Sequence, residues 1–300
     1  MKILLFGKSG QVGWELRRAL LPLGDLTALG RQEADFERPE MLADVIARHA
    51  PDVIVNAAAY TAVDRAESDA ANAYLVNRDA VGVLATEARK RGIWLIHYST
   101  DYVFDGEKPT PYVETDPTNP QSVYGLSKRA GEEAILASGC DHIIFRTSWV
   151  YAARGANFPK SILRLAAEKD EIRVVSDEIG SPTGAELIAD ITAITARKIG
   201  EGDLTRQASG IYHLVAAGET SRYDYARFVV GLALERGAVL KVTPDAIRPV
   251  PSAEYVVPAK RPANSRLDTG KLKATLGLAL PPWEAGVRRS IAELLEKEAE

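Results

Sequence analysis

The sequence is poor in cysteine, in clustered histidine and in long apolar runs, and each shortage removes a class of protein. One cysteine, Cys140, cannot close an intramolecular disulfide, and four histidines without a Cys/His cluster supply no structural zinc set. A reducing cytoplasm is the expected location. No uninterrupted apolar stretch approaches the roughly 20 residues that span a bilayer, so no membrane partner is expected. The opening M-K-I-L-L-F-G is ended by glycine too soon for a secretory core and reads as a first strand. Charge of one sign is missing too: 37 basic against 41 acidic residues leave a net of −4 with no long run of either. Nucleic acid is therefore not an expected partner.

What is present is a chain of 300 residues, 46% hydrophobic, which can bury a full core and is neither disordered nor fibrous in composition. It contains no internal repeat and no low-complexity tract. Short apolar runs at 2–6, 26–29, 52–56, 93–98 and 142–146 read as strands. Between them, 12–21, 40–49, 70–91 and 124–136 carry apolar residues three and four apart and read as helices. This order predicts an α/β fold, a Rossmann-type doubly wound parallel sheet with a second, smaller α/β substrate domain. Beyond Trp149 the rhythm weakens: helices are expected at 158–168 and 223–235, strands at 172–175 and 211–215, and an ordered proline-rich loop at 244–262. The expected division is a dinucleotide-binding domain at 1–147 and about 170–216, interleaved with a substrate-binding domain at about 148–169 and 217–300.

After the first strand, Gly7-Lys8-Ser9-Gly10-Gln11-Val12-Gly13 opens a helix, which places three glycines where a dinucleotide pyrophosphate binds. Glycines permit the tight turn and close backbone approach, and the helix N-terminus offers free N–H groups and partial positive charge. The acidic residue expected about 20 positions on is missing at the tip of strand two, Leu29-Gly30-Arg31-Gln32. Arg31, with Lys8, can pair instead with a 2′-phosphate, which favours NADPH. A solvated Arg31 is the plainer alternative. Asp35 and Phe36 neighbour the adenosine half, and Asp35 leaves NADH open. Strand three ends in Asn56-Ala57-Ala58-Ala59-Tyr60-Thr61, small enough for a cofactor to approach the backbone.

Strand four ends in His97-Tyr98-Ser99-Thr100-Asp101, and the next helix opens with Y-G-L-S-K. Tyr124 and Lys128 lie four apart on one helical face, so an ammonium is expected to lower the phenol below its usual value of about 10. Such a tyrosine donates a proton to a carbonyl oxygen that a hydroxyl of Thr100 or Ser99 holds. A tyrosine four residues before a lysine is by itself common; its order after the glycine turn and the Ser-Thr strand end gives it weight.

The stretches G-K-S-G-Q-V-G-W-E-L, V-N-A-A-A-Y-T-A-V-D, H-Y-S-T-D-Y-V-F-D-G, V-Y-G-L-S-K-R-A-G-E, F-R-T-S-W-V-Y and D-E-I-G-S-P-T-G run through most of the chain. Together they resemble the dTDP-4-dehydrorhamnose reductases of the extended short-chain dehydrogenase/reductases. The resemblance implies NAD(P)H-dependent reduction of the C4 ketone of dTDP-4-dehydro-L-rhamnose to dTDP-L-rhamnose, a bacterial polysaccharide precursor. It implies Thr100, Tyr124 and Lys128 as the catalytic set, and Gly10, Gln11, Val12, Ala59, Tyr60, Thr61 and Tyr98 beside the cofactor with Tyr124 and Lys128. Thr100, Asp101 and Trp149 would line the sugar site, Trp149 through a flat apolar face and one N–H, unless it is an ordinary core tryptophan. Arg261, in R-P-A-N-S-R, suits the substrate diphosphate, although a solvated basic loop explains it as well. Some members are homodimers with Mg²⁺ near the interface, and the matching residues are Glu15, Glu186 and Glu293, each otherwise a solvated helix carboxylate. The same centre would serve a nucleotide-sugar 4-epimerase or a reductase of another dTDP-4-keto-6-deoxyhexose. A regulatory subunit like that of methionine adenosyltransferase is the non-catalytic alternative, against which the intact Thr100, Tyr124 and Lys128 argue.

Overall fold

In the computed structural model, which describes residues 1–299 and the side chains of residues 1–296, β1 (Lys2–Phe6) begins a repeated strand and helix pattern. It continues through α1 (Gln11–Leu20), β2 (Asp25–Leu29), α2 (Leu42–His49), β3 (Val53–Asn56), α3 (Ala80–Arg91), β4 (Trp94–Thr100), α4 (Val123–Ser138) and β5 (His142–Thr147). The strands are apolar almost without alternation, and β3 and β5 are buried at every position. Strands of this kind form parallel sheets covered on both faces. The later elements are α5 (Phe158–Glu168), β6 (Ile172–Val175), α6 (Ala185–Glu201), β7 (Gly210–His213), α7 (Arg222–Glu235), β8 (Ile247–Val250) and α8 (Trp283–Ala299).

Six strands form the main sheet in the order β7-β5-β4-β3-β1-β2, every pair parallel. One face packs on α1 and α6 through residues such as Leu16, Ile188 and Leu214. The other packs on α2, α3 and α4 through Leu42, Leu84 and Ile135. Strand order reverses between β1 and β3, and at such a point the loops leaving the carboxyl ends part and form a crevice. Among the described residues no helix is long and apolar enough to cross a membrane.

β4 ends at Thr100, within the expected strand end at 97–101, with Ser99 and Thr100 in register with Arg146 and Thr147. Two expectations change. The helix expected over 70–91 is broken: Ala70–Tyr74 passes through a π-helical turn, Leu75–Asp79, before α3. Such turns insert one residue into the helical ladder and re-aim a side chain, here Asn77. β6 leaves the main sheet altogether and pairs in parallel with β8. Ile172 and Val174 of β6 pack with Ile162, Val229, Ile247 and Val287 in a separate core under α5, α7 and α8, so 172–175 sits with the second half of the chain.

Candidate active site

β1 delivers the chain to Gly7 at φ +84°, where its N–H donates to the Leu29 carbonyl at 3.0 Å. A Cβ on Gly7 would lie 2.6 Å from the Ala57 carbonyl carbon, and one on Gly13 would lie 1.9 Å from the Gly7 carbonyl oxygen. The turn therefore closes only with glycine at both positions. Gly10 caps α1 without a side-chain bond, leaving the first-turn N–H groups of a ten-residue helix for an anion. A cleft of about 610 Å³ opens beside this turn, and Gly7, Gly10, Arg31, Asp35, Phe36, Ala59, Tyr60 and Thr61 all line it. Size and backbone approach fit a dinucleotide.

Four further expected cofactor residues stand off this cleft. Gly13 lies behind the turn, and Val12 packs against the core. Gln11 accepts from Asn157 Nδ2 at 2.9 Å, and the Tyr98 phenol is tied to Thr192 Oγ1 at 2.8 Å, so only the Tyr98 backbone is left near the centre. At the tip of β2 the charges are balanced differently from the expectation. Lys8 forms an ion pair with Glu33, whose other oxygen accepts from the Gly30 N–H at 2.9 Å. Arg31 pairs with Glu37 and lies 3.6 Å from Asp35. Carboxylates thus surround the tip after all, because the loop 31–37 folds back on the strand end.

Ser122 caps α4 by accepting from the Gly125 N–H at 3.1 Å, which puts Tyr124 in the first turn. A Cβ on Gly125 would come within 2.3 Å of the Tyr102 carbonyl oxygen, so glycine lets the helix start press onto the turn after β4. The Tyr124 phenol meets the Thr100 hydroxyl, and its ring stands edge-on to Tyr102 at 5.5 Å. Thr100 Oγ1 donates to Asp101 Oδ1 at 3.0 Å and accepts from the Tyr102 N–H at 3.1 Å. One helical turn on, the buried Lys128 donates to the Tyr98 carbonyl at 2.7 Å and lies 3.3 Å from His97 Nε2.

The electrostatics correct the expectation for Tyr124. Burial pushes the phenol well above its ordinary value, the Thr100 hydroxyl opposes this, and the Asp101 charge adds to it. Burial also pulls Lys128 down to about 8 against the attraction of Glu132. Lys128 does not lower Tyr124 here, since its nitrogen is committed to the Tyr98 carbonyl and a buried phenolate lacks hydration. The phenol stays protonated, the form an acid needs.

Asp101, also buried, is pushed up to about 6 by burial, with the Ser265 and Thr100 hydroxyls and Arg222 opposing. Trp149 sits at φ +47°, a left-handed conformation that costs a non-glycine residue, of order 1–3 kcal/mol. Its ring stacks on Tyr225 at 6.4 Å and carries the Arg222 guanidinium 3.7 Å above it. Trp149 thus packs against both Tyr225 and Arg222. Arg222 also lies 3.5 Å from Glu178. Arg261 pairs with Asp64 at 3.0 Å across the two halves of the chain. Both arginines bear on Tyr102.

Sequence reasoning missed Arg222 and Asn77. Arg222 is the first residue of α7, where only a helix start is readable, and Ser221 caps it by accepting from the Asp224 N–H at 2.9 Å. Asn77 accepts from the Tyr60 N–H at 2.9 Å and donates to the Tyr60 carbonyl and to Ser127 Oγ, both at 3.0 Å. It therefore fastens the Ala59-Tyr60-Thr61 loop to α4. Glu15, Glu186 and Glu293 do line one cavity, together with Arg289. Arg289 lies 3.3 Å from Glu186, and among the described residues no group of three acidic, histidine or cysteine side chains is arranged to hold a metal. A guanidinium among the carboxylates does not fit a magnesium site, and no step is assigned to one.

The family model described as the RmlD substrate binding domain matches residues 1–296. A dTDP-4-dehydrorhamnose reductase of Shigella flexneri is 50% identical over 298 residues, 98% of each chain, and that of Escherichia coli K12 is 49% identical over 299 residues, again 98% of each. A probable dTDP-4,6-dihydroxy-2-methyloxan-3-one 4-ketoreductase of Streptomyces antibioticus is 38% identical, over 99% of this chain and 97% of that one. Among solved structures, a dTDP-4-dehydrorhamnose reductase of Clostridium acetobutylicum superposes with a TM-score of 0.89 at 32% identity, covering 98% of this chain and 100% of that one. The Bacillus anthracis enzyme of the same name, in complex with NADP, gives 0.85 at 32% identity, covering 97% and 99%.

Proposed function

This chain belongs to the RmlD substrate binding domain family, and we propose that it reduces the C4 ketone of dTDP-4-dehydro-L-rhamnose to dTDP-L-rhamnose with a nicotinamide cofactor. The observation that carries the reading is the Tyr124 phenol, set against the Thr100 hydroxyl at the carboxyl edge of the sheet from which the glycine turn also rises. When bound, the cofactor supplies the hydride. Thr100 Oγ1 orients the ketone oxygen, and Tyr124 gives it a proton. Lys128 holds its place through the Tyr98 carbonyl. Gly7, Gly10, Gly13 and the start of α1 take the cofactor pyrophosphate, with Ala59, Tyr60 and Thr61 facing it. Arg31 suits a 2′-phosphate and Asp35 a 2′-hydroxyl, so both NADPH and NADH serve. Asp101 and Trp149 border the sugar, while Arg261 and Arg222 offer guanidinium groups to the diphosphate.

The test is to incubate the protein with dTDP-4-dehydro-L-rhamnose and either NADPH or NADH, following the loss of cofactor absorbance and identifying the sugar. One cofactor consumed per dTDP-L-rhamnose formed is the expected result. No oxidation with either cofactor rejects the reading, and sugar interconversion without net oxidation makes the protein an epimerase. The Streptomyces relative favours a second substrate class, other dTDP-4-keto-6-deoxyhexoses, and faster turnover of one of these would move the assignment there. Homodimer formation is proposed through the face bearing Glu15, Glu186 and Glu293, and mass in solution tests it.

A further inference from the structure

The adenosine end of the cofactor cleft has its charges matched before any ligand enters. Its lining sets Arg31 and Arg65 against Asp35, Glu37 and Asp69. Arg31 Nη2 donates to Glu37 Oε2, and Arg31 Nε lies 3.6 Å from Asp35 Oδ1. Arg65 lies 3.6 Å from Asp69. Beside the same strand tip, Lys8 is held by Glu33. Each of these cations therefore has a carboxylate of its own.

Local structure fixes the pairing of Arg31 with Glu37. Phe36 is buried and stands edge-on to Phe6 of β1 at 5.5 Å, which pins the loop 31–37 to the end of the sheet. Asp35 Oδ1 accepts from the Glu37 N–H at 3.0 Å, a tight side-chain turn that brings Glu37 back toward Arg31. Of the two carboxylates near Arg31, Glu37 is the nearer. Its charge also bears on Tyr60, which lines the cleft from the loop after β3, so the carboxylate stands inside the cleft.

NADPH and NADH differ in one group on the adenosine ribose, a phosphate with nearly two negative charges or a hydroxyl. A hydroxyl can donate to a carboxylate, whereas a phosphate needs charged donors. A phosphate brought to Arg31 meets a guanidinium already neutralised and a carboxylate of its own sign. We propose that Glu37 is a specificity-determining residue: by neutralising Arg31 it holds down affinity for the 2′-phosphate cofactor and leaves affinity for the 2′-hydroxyl cofactor unchanged. The proposal rests on the reading that a nicotinamide cofactor lies along the glycine turn, and it names the residue that sets the balance between the two forms. Asp35 has another part, since its Oδ1 is engaged and its Oδ2 is left for a ribose hydroxyl.

The test needs no sugar substrate: NADPH and NADH are titrated separately into the unaltered protein and into Glu37→Gln, following the fluorescence of the reduced nicotinamide. Glutamine keeps the length and an acceptor for Arg31 and removes the charge. Because a phosphate near Arg31 feels that charge nearly twice over, NADPH affinity is expected to rise about tenfold, with NADH affinity held within about twofold. With Arg31→Ala also present, the gain from Glu37→Gln is expected to vanish, since the carboxylate acts through that guanidinium. An unmoved ratio of the two affinities overturns the proposal, as does a gain of equal size without Arg31. An equal loss of both affinities makes Glu37 a prop of the loop 31–37 and overturns it too. If neither cofactor binds the unaltered protein, this proposal and the reading beneath it fall together. Binding without turnover in the reductase assay overturns only the assigned reaction.

Discussion

Replacing Lys128 by methionine is expected to stabilise the fold at neutral pH while abolishing turnover. A lysine whose usual value of 10.5 falls to about 8 on burial carries a penalty of roughly 3 kcal/mol at pH 7, at about 1.4 kcal/mol per pH unit. Between those two values the unfolded chain binds more protons than the folded one, so stability of the lysine protein rises with pH through this window. Below about pH 8 the penalty is present in full, and above 10.5 it is gone. Methionine fills similar space without charge. It also leaves the Tyr98 carbonyl without its 2.7 Å donor, a loss of about 1–3 kcal/mol for a buried acceptor. The net at pH 7 is a gain of roughly 1–2 kcal/mol, which should shrink and change sign as pH approaches 10. Urea unfolding of both proteins at pH 7 and pH 10 measures this. A stability difference that stays constant across that range would refute the argument, because only a titrating buried lysine makes it move.

Three further changes test other parts of the site. Tyr124→Phe removes the proton donor and leaves the ring, so kcat should fall about 10²- to 10⁴-fold while cofactor affinity, read by fluorescence titration, stays within a small factor. Gly13→Ala places a methyl 1.9 Å from the Gly7 carbonyl oxygen, which must open the turn; cofactor affinity should drop about tenfold or more, equal to 1.4 kcal/mol, in the same titration. Glu132→Ala leaves Arg146, 2% exposed, as an unpaired buried cation, and urea unfolding should report a loss of roughly 3–5 kcal/mol.

The main sheet was readable because parallel strands covered on both faces are unbroken apolar runs: I-L-L-F of β1, V-I-V-N of β3 and H-I-I-F-R-T of β5 stand out against helical spacing. β8 did not, since the exposed Arg248 and Pro249 disguise it. Proline is tolerated there because β8 has a single neighbour, β6. That pairing also takes β6 out of the main sheet, and its sequence does not show this: four apolar residues declare a strand and say nothing of its partner. The π-helical turn at Leu75–Asp79 left no mark either, as its sequence L-V-N-R-D keeps helical spacing on both sides.

Within the site, residue types were legible and their states were not. Tyr124, Lys128 and Thr100 could be named from their order along the chain, yet the direction of their charge shifts depends on how deeply α4 presses against β4. That depth is set by contacts such as Gly125 against the Tyr102 carbonyl. Burial moves Tyr124 up, Asp101 up to about 6, Lys128 down to about 8 and His97 down, each toward its uncharged form. The arginines keep their charge and hold carboxylates, Arg222 near Glu178 although burial lowers it too, and the more exposed Arg261 on Asp64. A ketone sugar linked to a diphosphate asks for this division: neutral donors where a carbonyl oxygen must receive a proton, and guanidinium groups where phosphate charge must be met. A sequence motif specifies the donors, whereas the separation of neutral donors from guanidinium groups exists only once β4, α4 and α7 have met.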